Sequence, residues 1–223
     1  MNDETRDPAL AAPADDRPSA PVRKRPKPGE RRVQILQALA AMLEQPGAER
    51  VTTAALAAKL EVSEAALYRH FASKAQMFEG LIDFIEQSVF TLVNQILEQA
   101  QAEEAGDAAR VGAHKAARII IMLMQFAEKN PGMTRVMVGD ALVFENERLQ
   151  QRMNNFFDKL ESTLRQALRP AALAEGSGTP TVDAQVRASA LTAFAVGRLQ
   201  RFARSGFRRA PSEHLDAALA LMI

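Results

Sequence analysis

Residues 51–76 read VTTAALAAKLEVSEAALYRHFASKAQ, and this stretch decides the fold. Thr52 and Thr53 have hydroxyls that accept from the orphan amides of a helix start. Leu56 and Leu60 then fall four apart on one face of a short helix, Ala54 to Leu60. Glu61-Val62-Ser63 breaks the pattern, with Val62 as an apolar plug and Ser63 as a second N-cap. A second helix, Glu64 to Phe71, is anchored inward by Leu67 and Phe71. Its outward residues Ala65 and Ala66 are small enough to approach a grooved surface closely. Tyr68, Arg69 and His70 at its end, with Lys74 beyond, offer four polar groups to anionic oxygens. Helix, tight turn and helix with a polar tip is the geometry of a DNA-reading helix-turn-helix.

The charge of the chain is concentrated on this unit. Residues 1–22 carry two basic and five acidic groups, residues 23–78 ten and five, and residues 79–223 sixteen and seventeen. Arg23, Lys24, Arg25, Lys27, Arg31 and Arg32 lead into the helix-turn-helix, interrupted by Pro26, Pro28 and Gly29. Composition makes residues 1–28 an arm without a core of its own. Such an arm either lies along phosphates and releases counterions or is only a solubilising tail.

The rest of the chain reads as helix. A first helix is expected from Glu30 to Leu43, with Ile35, Leu36, Leu39, Met42 and Leu43 on one stripe and Pro46-Gly47 as its stop. Ser73-Lys74-Ala75-Gln76 is a capping box opening a fourth helix to about Gln99. Gly106 separates this from a helix that turns wholly apolar at Ile119 to Ala127, the expected centre of the second domain. Asn130-Pro131-Gly132 reads as a turn, followed by a short segment to Val138. A helix from Glu145 to Leu168 is expected to end at Pro170 and the linker Glu175 to Pro180. Two helices, Val182 to Ser205 and Ser212 to Ile223, close the chain. No run alternates like a strand, so the class is all-α with about nine helices. The expected division is an arm (1–28), a helix-turn-helix domain (29–73) and a helical dimerisation and partner domain (74–223).

Two apolar features ask for partners. On a wheel of about 100° per residue, Leu81, Ile82, Ile85, Val89, Leu92 and Ile96 cluster near Phe78, whereas Phe84 falls about 120° away, beside Met77, Gly80 and Thr91. Phe84 then either packs against the neighbouring domain or lines a groove for a peptide. Near the C-terminus, Leu191, Phe194, Ala195, Leu199 and Phe202 share a face, with Ala188 and Ala190 adjacent. They pack internally or form a two-fold interface, which would set two reading helices about one turn of B-DNA apart on a pseudo-palindrome.

The end of the decisive stretch, Leu67-Tyr68-Arg69-His70-Phe71 with Lys74, resembles the DNA-binding domain of the TetR family of transcription regulators. Residues 63–86 (SEAALYRHFASKAQMFEGLIDFIE), 126–137 (FAEKNPGMTRVM), 141–161 (ALVFENERLQQRMNNFFDKLE) and 201–217 (RFARSGFRRAPSEHLDA) are similar to the nucleoid occlusion branch of that family. The resemblance covers nearly everything after Gly29. It implies a three-helix DNA reader, a helical body and a homodimer through the late helices. The DNA-contacting set is then Thr52, Thr53, Ser63, Ala65, Ala66, Tyr68, Arg69, His70 and Lys74. It also implies a protein partner, the C-terminal tail of the tubulin-like division protein FtsZ, held by Phe84, Met122, Lys129 and Asn130. Leu92 stands where that branch leads one to expect a basic residue.

Other functions find little support. His70, His114 and His214 are scattered, no two at metal-ligand spacing, and no phosphate loop or nucleophile pattern occurs. Neither catalysis nor a cofactor or metal is expected. Zero cysteines suit a reducing compartment. No stretch approaches the ~18 apolar residues of a membrane span, and the N-terminus lacks a signal sequence. A cytoplasmic, nucleoid-associated protein is expected. The rival reading is a repressor released by a small molecule, its pocket lined by Met122, Met124, Phe126, Met137, Phe144 and Phe157. Those residue types at helical spacing also make ordinary core.

Overall fold

A computed structural model describes residues 29–45, 51–102 and 108–223. Among them are nine α-helices and no strand, so the all-α expectation holds. The helices are α1 (Glu30–Leu43), α2 (Thr53–Lys59), α3 (Glu64–Tyr68), α4 (Lys74–Ala102), α5 (Ala108–Lys129), α6 (Pro131–Met137), α7 (Glu147–Ala174), α8 (Pro180–Arg204) and α9 (Leu215–Ala220), with a 3-10 turn at Asp140–Leu142. The arm of residues 1–28, the Pro46-Gly47 stop and the Gly106 break lie outside the described residues.

The first three helices form around Ile35, Leu39, Leu43, Leu56, Leu67 and Phe71, all essentially inaccessible. Thr52 Oγ1 accepts from the Ala55 amide at 3.1 Å and Ser63 Oγ from the Ala66 amide at 3.3 Å, so both act as the expected N-caps. The helix α3 ends at Tyr68, earlier than the Phe71 expected. His70 and Phe71 instead bond back to the Leu67 carbonyl in a tightened last turn that points Phe71 into the core.

Helix α4 starts as its capping box requires, the Gln76 amide donating to Ser73 Oγ at 3.2 Å. The reciprocal bond differs by one residue, because Gln76 Oε1 accepts from Ala72 rather than Ser73. The core stripe of α4 carries Phe78, Leu81, Ile82, Ile85, Val89 and Ile96 as expected, but Leu92 is 38% exposed and Val93 is buried in its place. On the wheel the two residues fall on opposite sides of the stripe's centre, and the packing of the body buries Val93.

Two expected breaks are not breaks. Asn130-Pro131-Gly132 is no open turn: Pro131 occupies the first position of α6, where its missing N–H costs nothing. Thr134, fully buried, donates its hydroxyl to the Ala127 carbonyl at 3.0 Å and closes the α5–α6 corner. Pro170 lies inside α7. Gln166, whose carbonyl it leaves without an intrahelical donor, is an exposed residue, and beyond it Ala171 and Ala172 are buried. Helix α5 approaches here at Gly112, whose added β-carbon would sit 2.7 Å from the Ala167 carbonyl oxygen and 2.9 Å from Ala171 Cβ. Burial of this close contact outweighs the proline's penalty. The last helix begins at Leu215, because Ser212 is used otherwise: its amide and hydroxyl both donate to Glu128 Oε1.

Helices α5, α7 and α8 pack as the centre of the body, with α4 along one flank. The reader is fixed to this body twice. Helix α1 packs on α4, where Gly80 lets Phe71 Cε1 and Leu36 approach to 3.1 and 3.3 Å of where a β-carbon would be. It also packs on α6, where Gly132 meets the backbone of Ala40. No described helix is long and apolar enough to cross a membrane.

Candidate nucleic-acid interface

The sequence-derived set runs from the start of α2 to the start of α4. Thr52, Ser63, Ala65, Tyr68, Arg69 and His70 are exposed, and Thr53, Ala66 and Lys74 are half-buried. The hydroxyl of Thr53 donates to Glu64 Oε2 at 2.6 Å and so ties the start of α2 to the start of α3. Arg32 of α1 donates to the His70 carbonyl at 2.6 Å and lies over the Phe71 ring at 4.1 Å. It therefore holds the C-terminal end of the reading helix. Tyr68 keeps 44% of its surface, with its ring free to meet a sugar–phosphate edge. These features suit a short helix offered to a DNA groove, flanked by hydroxyls and cations at phosphate height.

Lys74 has a partner that its sequence neighbours do not reveal. Its ammonium pairs with Glu145, whose side chain is only 12% accessible, and lies 5.7 Å from the Phe78 ring centre. The pair begins a ladder between α4 and the start of α7. Arg148 pairs with Glu79, and Arg152 donates to Asp83 and Glu86 at 2.9 and 3.0 Å. Burial opposes the charge of Arg152, yet the hydrogen bonds and charges of Asp83 and Glu86 raise its pKa above the ordinary arginine value. Glu145 and Arg32 are the functional neighbours that sequence reasoning missed. Glu145 is 71 residues from Lys74 and leaves no local signal.

The partner set lies on two adjacent helices. Phe84 is 46% exposed on α4, one turn beyond the Gly80 contact with Phe71. Met122 is half-buried and Lys129 exposed on α5, two turns apart on one face. Asn130, at the N-cap position of α6, donates its Nδ2 to the Phe126 carbonyl at 2.7 Å. Further along α4, an open concavity runs past Asp83, Glu86, Phe90, Thr91 and Lys159.

The stripe offered as a dimer face is largely internal. Ala188, Leu191, Ala195, Leu199 and Phe202 are all buried within the chain, and Phe194 is partly so. Helix α8 turns a different apolar face outward: Val182 and Val186, at 58% and 63%, with Ala190, Ala193 and Gly197 in the same register. A β-carbon at Gly197 would meet nothing within 4 Å. The six residues of the rival pocket also separate. Met124 and Met137 are buried in the core, whereas Phe144 is 63% exposed. Met137 and Phe157 border an open cleft with Val196 and Asn154, and the other four lie elsewhere.

The comparisons with known proteins agree with this geometry. Residues 35–81 match the family described as bacterial regulatory proteins, tetR family. Residues 113–223 match a tetracyclin repressor-like C-terminal domain of the SlmA-like type. The chain is 49% identical over 192 residues to the nucleoid occlusion factor SlmA of Idiomarina loihiensis, covering 86% of this chain and 93% of that one. It is 48% identical over 194 residues to the SlmA of Vibrio cholerae, with the same coverage of both chains. Among solved structures, the fatty acid degradation regulator FadR from Bacillus halodurans superposes with a TM-score of 0.68 at 16% identity, over 88% of this chain and 96% of that one. The Bacillus subtilis FadR, crystallised with stearoyl-CoA, gives 0.66 at 14% identity over 86% and 97%. At such identities the structural likeness speaks for the fold alone.

Proposed function

We propose a function from one premise: this chain belongs to the TetR family, in its SlmA branch. It acts as a nucleoid occlusion factor, a cytoplasmic protein held on the chromosome at specific pseudo-palindromic sites. While bound there it inhibits assembly of the FtsZ ring. The observation that carries the partner assignment is Phe84, a large apolar side chain left 46% exposed on α4 beside the reader. An exposed aromatic side chain of this kind can anchor a peptide laid along a groove.

Each part of the chain has a role in this reading. Ala65 and Ala66 bring α3 close to the base edges, while Thr52, Thr53, Ser63, Tyr68, Arg69, His70 and Lys74 contact the backbone around it. The arm's Arg23, Lys24, Arg25 and Lys27 add sequence-independent affinity. The outward α8 face of Val182, Val186, Ala190, Ala193 and Gly197 packs against its copy across the two-fold axis. Phe84, Met122, Lys129 and Asn130 take the FtsZ tail along the α4–α5 groove.

The fixings of the reader supply the coupling. Helix α1 touches α4 at Gly80 and α6 at Gly132, so it braces both helices that lead to the groove. In this reading a tilt of the reader on DNA shifts Phe84 relative to Lys129 and Asn130 and so couples the two sites. The inducer-released repressor is less well supported, because its proposed lining is divided between core and surface. Co-purification of FtsZ with this protein, with and without added genomic DNA, tests the function. DNA-dependent capture supports it, and capture that ignores DNA contradicts it.

A further inference from the structure

Between Arg198 and His214 the chain carries five arginines, Arg198, Arg201, Arg204, Arg208 and Arg209, against one acid, Glu213. This is the end of α8 and the corner before α9, and neither the reader nor the partner groove uses it. The corner is built rather than loose. Ser205 Oγ accepts from the amides of Arg208 and Arg209 at 3.1 and 3.0 Å and donates to the Phe202 carbonyl at 2.8 Å. Phe207 holds a φ of 64° and packs edge-on to Phe202 at 5.2 Å, with Arg135 of α6 over its ring. His214 holds a φ of 52°. Two non-glycine residues in the left-handed region are kept there only by the surrounding contacts. Ser212 fastens the far side of the corner to Glu128 of α5.

The corner encloses a concavity of about 260 Å³, lined by Arg198, Arg201, Arg209, Pro211, Glu213 and His214. Arg198 is fixed in its wall. Its guanidinium stacks on Phe194 at 4.6 Å, and Nη1 donates to the carbonyls of Pro211 and Glu213 at 2.9 and 2.6 Å. Its Nε is buried with no hydrogen-bond partner. The guanidiniums of Arg201 and Arg209 have no carboxylate partner among the described residues. Glu213, the one acid of the lining, lies 4.0 Å from His214 Nε2 and is 65% exposed.

We propose that this corner is a binding site for a small phosphate-bearing ligand. Guanidiniums lining a compact hollow, two of them without a carboxylate partner, suit the tetrahedral oxygens of phosphate, each fork able to take two of them. The hollow is too short for an extended acidic peptide, which would need a groove several residues long. Arg198, held by the carbonyls of Pro211 and Glu213, fixes the wall against which such a ligand would sit. Arg201 and Arg209 bind the ligand's outer oxygens, and His214 closes the rim.

Calorimetric titration of the full chain with inorganic pyrophosphate tests this assignment. The expected result is one pyrophosphate per chain, bound at least tenfold more weakly by the Arg201→Gln/Arg209→Gln double variant. Lys74→Ala, altered at the reader, should bind it unchanged, and excess duplex DNA should not displace it. Both arginines are exposed, so an unaltered melting temperature is expected; Arg201→Gln alone serves if the double variant does not fold. Absence of saturable binding, binding indifferent to the double variant, displacement by duplex DNA, or preference for a polyglutamate peptide would each overturn the proposal.

Discussion

Gly132 and the Ala40 carbonyl lie so close that a β-carbon on Gly132 would fall 2.9 Å from the carbonyl carbon and nearer still to its oxygen. Both atoms belong to backbone, so neither can swing aside. The contact locks the first helix of the reader to the short helix that closes the α5 end of the proposed groove. Gly132→Ala should therefore push α1 and α6 apart and destabilise the protein by roughly 1–3 kcal/mol, the usual cost of overpacking. Denaturant melts check the magnitude. The companion change Gly197→Ala, into open space, should leave chain stability nearly untouched.

Lys74 is shared between two claims on its charge. In the structure it pairs with Glu145; on DNA it is expected at a phosphate. Lys74→Ala should weaken binding to all sequences about equally and reduce the salt slope by roughly one unit. Glu145→Gln should do the opposite and tighten binding about two- to fivefold, the equivalent of the roughly 0.5–1 kcal/mol held by a partly exposed pair. Anisotropy titrations at several salt concentrations measure both. Equal affinities for Glu145→Gln and the parent would remove the competition.

Removal of residues 1–28 should leave the melting temperature unchanged, since the described core begins at Ile35. It should weaken DNA binding at physiological salt through loss of Arg23, Lys24, Arg25 and Lys27. A truncated protein that binds as tightly as the full chain would make the arm a bystander.

The outward face of α8 should govern self-association. Val186→Glu, or Ala193→Glu nearer the middle of the face, places a charge where two copies are proposed to meet. Sedimentation should then show monomers, with operator affinity reduced because one reading helix spans only half a site. A dimer that survives both changes would move the interface elsewhere.

Much of this molecule was legible before any coordinates, because its signals are local. N-caps at Thr52 and Ser63, the box at Ser73 and the four-residue spacing of Leu67 and Phe71 each fix structure within one or two turns. The larger misreadings involve partners distant in sequence. Pro170 reads as a stop until the buried contact of Ala167 and Ala171 with Gly112 is known. The stripe from Ala188 to Phe202 reads as an interface until α7 is found packed on α8. Leu92 and Val93 flank the centre of the α4 stripe, and spacing alone does not choose which of them is buried. Glu145 had no signal at all, since nothing in residues 141–147 announces a lysine 71 positions earlier. The caps and buried anchors of the reader were therefore legible residue by residue, whereas the ladder joining α4 to α7 was not.

The central claim is that Phe84 serves a partner groove whose use depends on DNA. The most direct measurement is the affinity of a fluorescent FtsZ tail peptide, with and without genomic DNA fragments, for the parent protein and Phe84→Ala. The account predicts that DNA strengthens binding by the parent and that Phe84→Ala loses at least tenfold of it, in keeping with an anchor worth roughly 2 kcal/mol. DNA affinity should be retained, and the stability loss should fall well short of the roughly 3–5 kcal/mol of a buried phenylalanine. Peptide binding that is indifferent to DNA, or unaffected by loss of the Phe84 ring, would contradict it.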